Sequence, residues 1–259
     1  MTRVRKGDVF YTRSGCQVVV LDYVNSEKFY IEYQDSHRYK TYTSTRHLKN
    51  GNIKNPYSPS LYGVGYIGSG PFRSKINGKQ TVAYASWKRM LERVYDEKMH
   101  IKSPTYKRCS VCNEWHNFQN FAEWFYQQPN AGRKGFDLDK DLLIVGNTEY
   151  SEKACSLVPK KINNLMNSSH ISNSSVPEGV RRKGRKYQSF MSRHGRQVFL
   201  GTYDSLEAAR KSYVTAKQEY VVEIAELYKN DIHPVVYNNL INWDFENGSE
   251  TRQLYWREN

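Results

Sequence analysis

Residues 136–166 read FDLDKDLLIVGNTEYSEKACSLVPKKINNLM, and no other stretch constrains the fold as much. Short apolar runs flank a polar Gly-Asn turn, and the last run changes to helical spacing. The pattern predicts a strand near 136–144, a loop at 145–153, a short strand at 154–158 and a helix at 159–166. Lys160 and Lys161 precede Ile162, Leu165 and Met166, which form the apolar side of that helix. Strand, irregular loop, strand and helix in this order make a ββα unit.

Two composition shifts divide the chain into three segments. Residues 57–70, YSPSLYGVGYIGSG, carry no charge, and residues 167–177, NSSHISNSSVP, read as a linker or exposed loop. Within residues 1–56, the runs VFYTRSG, CQVVVLDYV, KFYIEYQD and YKTYTSTRHL predict short strands of a small β-barrel. Such a module binds nucleic acid or protein, or only braces a neighbour. Residues 57–175 hold the ββα unit behind two aromatic helices. Trp87, Met90, Leu91, Val94 and Tyr95 mark the first. Trp115, Phe118, Phe121, Ala122 and Phe125 mark the second, with Asn113 as its N-cap. Residues 176–259 open with three strands, EGVRRK, YQSFMSRH and RQVFLGTY. A helix capped by Ser205 follows, with Ala208, Ala209, Tyr213, Ala216, Tyr220 and Ile224 on its apolar face. In the tail, Val235, Leu240, Ile241, Trp243, Leu254 and Trp256 predict packing against the body. The fold class expected is α+β.

The charge narrows the partners. Of 259 residues, 39 are Lys or Arg and 26 Asp or Glu, a formal net charge of +13. Residues 176–201 hold seven basic residues and one acid, whereas the last 58 residues are net −4. A local basic patch predicts a polyanion partner, double-stranded DNA before RNA. No run approaches the roughly 18 apolar residues of a spanning helix, so no membrane partner is expected. The N-terminal residues lack a secretory h-region, and four Cys in a chain this long do not make a disulfide framework. Both point to the cytoplasm.

Chemistry concentrates in the ββα segment. In metal-dependent nucleases of that shape the first strand presents a carboxylate beside a general base. The loop supplies an Asn that orients the base, and the helix supplies a second metal ligand. Asp139, Lys140, Asn147 and Asn163 stand at those spacings. The pattern LDKD…GN…YS…C.LVP..IN resembles the HNH, or His-Me finger, endonuclease motif of phage homing-type enzymes. The lead-in W..ML.R.Y and C.VC.EW.NFQNFAEW extends the resemblance over roughly residues 60–166. It implies Asp139 and Asn163 as ligands of Mg²⁺ or Mn²⁺ and Asn147 as the loop Asn. It also implies nicking by a monomer, with double-strand cleavage requiring a homodimer or two sequential cuts.

One position departs from the family. A general-base His is expected directly after the strand Asp, and Lys140 stands there. Three readings stay open: Lys140 as base, Lys140 as a contact to the scissile phosphate, or a decayed centre kept for DNA binding by a regulator or site competitor. His116 and His170 are substitutes for the missing imidazole. Cys109-x-x-Cys112, with His116 four residues on and Cys155 as a fourth ligand, has structural-zinc spacing, and buried free thiols are the other reading.

EGVRR and FLGTYDSLEAARKSY resemble the ethylene-response-factor type of DNA-binding domain over about residues 177–225. The resemblance implies a three-stranded sheet in the major groove, with Arg and aromatic side chains toward bases and phosphates. Arg181, Arg182, Arg185, Lys186, Tyr187, Gln188, Arg193 and Arg196 lie on or between the strands. Alternation places about half of them on one face.

Overall fold

A computed structural model describes residues 3–166 and 176–245. The chain is mixed α+β, with several separate sheets. Its N-terminal part is an antiparallel meander of β1 (Val9–Tyr11), β2 (Gln17–Asn25), β3 (Lys28–Tyr33) and β4 (Lys40–Ser44). Alternation puts Val18, Val20, Phe29, Ile31 and Tyr33 inside, where they form a core with Leu48 and Ile53. The expected barrel does not close. Helix α1 (Thr45–Lys49), capped by Ser44, packs against both β1 and β4, where closure would need strand pairing. The ring of His37 stacks on Tyr57 at 4.4 Å and meets Tyr66 edge-on, and Tyr57 also packs on Tyr39, which joins this sheet to the uncharged stretch 57–70.

After the short hairpin β5 (Lys75–Ile76) and β6 (Lys79–Gln80) comes α2 (Val82–Tyr95). The Thr81 side chain caps α2 by accepting from Tyr84 N. Helix α3 (Glu97–Lys102) and a 3₁₀ turn lead to β7 (Ser110–Val111). The second aromatic helix, α4 (Phe118–Gln127), starts later than its sequence suggests, because Asn117 and not Asn113 caps it. Residues 113–116 form a 3₁₀ turn, held where buried Trp87 donates its indole N–H to the Trp115 carbonyl at 2.7 Å. Trp87, Met90, Leu91, Trp115, Phe118, Phe121, Ala122 and Phe125 make the first large core. Gly65 lets the loop lie on this helix pair, since a Cβ there would sit 2.4 Å from a Leu91 methyl carbon.

The ββα unit is formed by β8 (Phe136–Asp139), β9 (Glu149–Tyr150), β10 (Ser156–Pro159) and α5 (Lys160–Met166). Strand β8 is shorter than expected. It stops at Asp139 because that carboxylate accepts the backbone N–H groups of Asp141 and Leu142 and turns the chain. Strands β8 and β10 pair antiparallel, with Leu138 opposite Leu157, Asp137 opposite Val158 and Asp139 opposite Ser156. One face of this ribbon, Leu138 and Leu157, joins the first large core. The other face, through Val158, joins a second core with Leu142, Ile162 and Met166.

That second core also draws on residues from 176 onward. It includes Met191 and the inner faces of α6 (Leu206–Leu227) and α7 (Pro234–Ile241). Ser205 caps α6 by accepting from Ala208 N, as its sequence predicts. The sheet β11 (Val180–Lys183), β12 (Lys186–Arg193) and β13 (Arg196–Tyr203) lies against α6. Asn239 donates to the carbonyls of Leu142 and Leu143, and Asp231 receives Arg133 and Asn130, so α7 and its approach are fastened to the central segment. Leu240 and Trp243 pack inward as expected, while Val235 is exposed and Val236 takes the buried place. Leu254 and Trp256 lie outside the described residues. No described helix is long and apolar enough to cross a membrane.

Candidate functional site

Asp139 is nearly buried at the end of β8, on the ribbon face that α5 covers. Its Oδ1 accepts Asp141 N at 3.0 Å and Leu142 N at 2.7 Å. Its Oδ2 takes no hydrogen bond among the described residues. Burial, and next the charge of Asp141, push its carboxyl up to about 6. Asn163 is buried on α5, which packs against β8 and β10.

Asn147 folds the loop back onto the strand end. Its side-chain N–H₂ donates to the Lys140 carbonyl at 2.7 Å and the Glu149 carbonyl at 2.6 Å, and its Oδ1 accepts Glu149 N at 3.3 Å. The residue after Asp139 is thus held through its backbone by the loop Asn. Two features of this arrangement have no clear sequence signal. Strand β7 pairs in parallel with β9, Ser110 opposite Glu149, and pins the loop from outside. The segment between Cys109 and Cys112 therefore serves as a short strand. The second feature is Asp141, which accepts the Lys140 amine at 3.3 Å.

Lys140 is buried and does not share Asp139's face. Its amine also donates to the Asn147 carbonyl at 3.2 Å and lies 6.0 Å from the Tyr150 ring centre. Tyr150 belongs to the first large core and Asp139's face to the second, as strand alternation requires. The amine is a tether for the loop, and the geometry of a base aimed beside Asp139 is not formed. His116 does not replace it. Its Nε2 is engaged with the Tyr95 hydroxyl at 2.8 Å, and burial lowers its pKa. His170 lies outside the described residues.

The donor chemistry of Asp139 is compatible with a hard divalent cation. A buried carboxylate with one oxygen uncommitted among the described residues is the hard donor type that Mg²⁺ or Mn²⁺ takes when water and phosphate complete its shell. Among the described residues no three His, Cys, Asp or Glu side chains converge on one point. Cys109, Cys112, His116 and Cys155 therefore do not come together as a zinc set. All described thiols are free, and burial raises those of Cys109 and Cys155, and that of Cys112 to about 11.

The C-terminal sheet divides its basic residues by face. Tyr187 pairs with Tyr203, whose hydroxyl donates to Ser212 on α6, so Tyr187 and its other cross-strand neighbour Arg182 face the helix. Arg193 also faces α6. It pairs with Glu223, holding that carboxyl below its ordinary value, and stacks on Tyr220. Arg196, opposite Arg193, shares that side. The outer face carries Arg181, Lys186 and Gln188, with Arg185 in the hairpin turn. Arg181 lies over the Phe190 ring at 4.8 Å, and Phe190 packs on Phe199 at 5.3 Å. Phe199 is 54% exposed, an unusual apolar surface on a sheet this basic.

No protein-family profile, curated protein or solved structure matches the chain.

Proposed function

We propose that the chain is a metal-dependent DNA endonuclease of the homing type, in which a ββα centre cuts and the C-terminal sheet reads. The observation that carries the reading is the order Asp139, Lys140, Asn147. A buried carboxylate ends the first strand, and the loop Asn grips the backbone of the next residue. Asp139, with Asn163 on the covering helix, would hold Mg²⁺ or Mn²⁺. The cation supplies charge stabilisation to the departing oxygen of a phosphodiester. Asp139 would serve through the oxygen left open, because backbone N–H groups fix the other. Asn147 and Lys140 keep the loop closed around that end of β8. Arg181, Arg185, Lys186 and Gln188 meet phosphates and base edges in the major groove, a groove that accepts a β-sheet ribbon. The N-terminal meander is an accessory module, and free thiols suit a reducing cytoplasm.

One observation favours a second reading, a DNA-binding protein that does not cut. The Lys140 amine is tied to Asn147 and Asp141, and no described imidazole stands beside Asp139. Supercoiled plasmid with Mg²⁺ separates the two. Open-circular product that disappears with EDTA and with Asp139→Asn supports cutting. Tight binding without product supports the second reading, and a gain of nicking in Lys140→His would mark a decayed centre.

A further inference from the structure

We propose that the Ser156 hydroxyl is a positioning group for Asp139, donating to its carboxylate when a divalent cation is held there. The proposal rests on the metal-site reading above. Ser156 lies directly opposite Asp139 in the β8–β10 ribbon. Directly opposed residues share a face, with Cβ atoms about 4.5–5.5 Å apart. Ser156 is 5% exposed, and its Oγ, itself out of contact with solvent, has no hydrogen-bond partner among the described residues.

A hydroxyl in that position is unfavourable unless something receives it. Its neighbours in β10, Leu157 and Val158, are buried and apolar, and an apolar side chain would suit the strand equally well. The facing acceptor is Asp139. Its Oδ1 already serves two backbone N–H groups, while Oδ2 takes none among the described residues. The Ser156 hydroxyl turns between staggered positions, and the carboxylate torsion is soft. Small rotations therefore bring donor and acceptor together without moving either strand. A carboxylate that ligates a metal is itself oriented by such outer donors. Ser156 then fixes the direction in which Asp139 presents its free oxygen.

The test is Mn²⁺ titration of the full chain, followed by calorimetry and by the electron paramagnetic resonance signal of free Mn²⁺. The wild type is expected to bind one Mn²⁺ and Asp139→Asn to lose it. Ser156→Ala is expected to weaken binding by about 10-fold or more, the usual effect of removing an outer-sphere partner. Ser156→Thr, which keeps the hydroxyl, is expected to bind close to wild type. Without metal, Ser156→Ala should melt no lower than wild type, since no bond is lost. Wild-type affinity in Ser156→Ala, beside loss in Asp139→Asn, overturns the role of Ser156 and leaves the metal site standing. Equal weakening in the Ala and Thr variants assigns the effect to packing and overturns it too, as does a markedly lower melting temperature for the metal-free Ala variant. Failure of the wild type to bind Mn²⁺ overturns the metal site and the proposal together.

Discussion

Lys140 and Asn147 hold each other across the loop between β8 and β9. The Lys140 amine donates to the Asn147 carbonyl at 3.2 Å, and the Asn147 side chain donates to the Lys140 carbonyl at 2.7 Å. Each preserves the loop geometry that the other needs. Lys140→Met keeps the stem's packing, and Asn147→Ala removes three loop hydrogen bonds. Each change is expected to cost about 1–3 kcal/mol. In a double-mutant cycle by urea unfolding, the two should couple by about 0.5 kcal/mol or more. Strict additivity would show that the tether does not exist in solution.

Asp139 predicts a pH dependence of definite sign. Its folded-state pKa is raised, to about 6 from an ordinary 3.8, chiefly by burial. A raised carboxyl contributes stability that is full below its ordinary value and declines as pH rises through the folded value. The metal-free protein should therefore lose stability from this group between about pH 4 and above 6. Asp139→Asn keeps the acceptor for Asp141 and Leu142 and removes the charge. In EDTA it should be more stable than wild type by about 1–3 kcal/mol at pH 8, with the two converging near pH 4. Parallel melting curves across that range would contradict the buried position of the carboxylate.

The division of the C-terminal sheet into two faces gives a paired prediction. Arg181 lies on the outer face, and Arg193 is tied to Glu223 on α6. Arg181→Ala should lower affinity for a DNA site by about 1–3 kcal/mol if it contacts a base edge. If it contacts a phosphate, the change should instead lower the salt slope by about 1. Arg193→Ala should leave affinity near wild type and slightly lower the melting temperature. Fluorescence anisotropy at several salt concentrations measures both. The reverse pattern would mean that the sheet presents its other face.

Much of this arrangement is legible in the amino-acid order, where local rules act. Asp139, Asn147 and Asn163 fall on strand, loop and helix as spacing predicts. Ser205 caps its helix, and the three C-terminal strands lie within a residue or two of expectation. What is not legible depends on contacts distant in sequence. Nothing near Cys109–Cys112 announces that this stretch will pair with β9, and a CxxC spacing points elsewhere. Lys140 reads as a base or a phosphate ligand because the eye follows Asp139. Alternation alone, applied strictly at the strand end, would have sent it to the opposite face. Ser156 was visible only as one polar residue in CSLVP, and its significance needs the register of β10 on β8. Barrel closure failed for a similar reason, since helix α1 occupies the space between the edge strands.

Gly179 tests the seating of the C-terminal sheet on α6. Its φ is +81°, and a Cβ there would lie 2.0 Å from the Tyr213 ring. Gly179→Ala is therefore strained by backbone and by collision, and should cost about 2 kcal/mol or more. Urea unfolding measures it. A neutral outcome would mean that β11 and Tyr213 are not packed as described.

In the proposed function, Asp139 anchors a cutting centre. The measurement that addresses it most directly is conversion of supercoiled plasmid by wild type and by Asp139→Asn with Mg²⁺ or Mn²⁺, at concentrations where both bind DNA equally. Open-circular product is expected from wild type, none from Asp139→Asn and none with EDTA. Equal product from both proteins, or no product from a wild type that binds DNA tightly in every divalent metal, would contradict it.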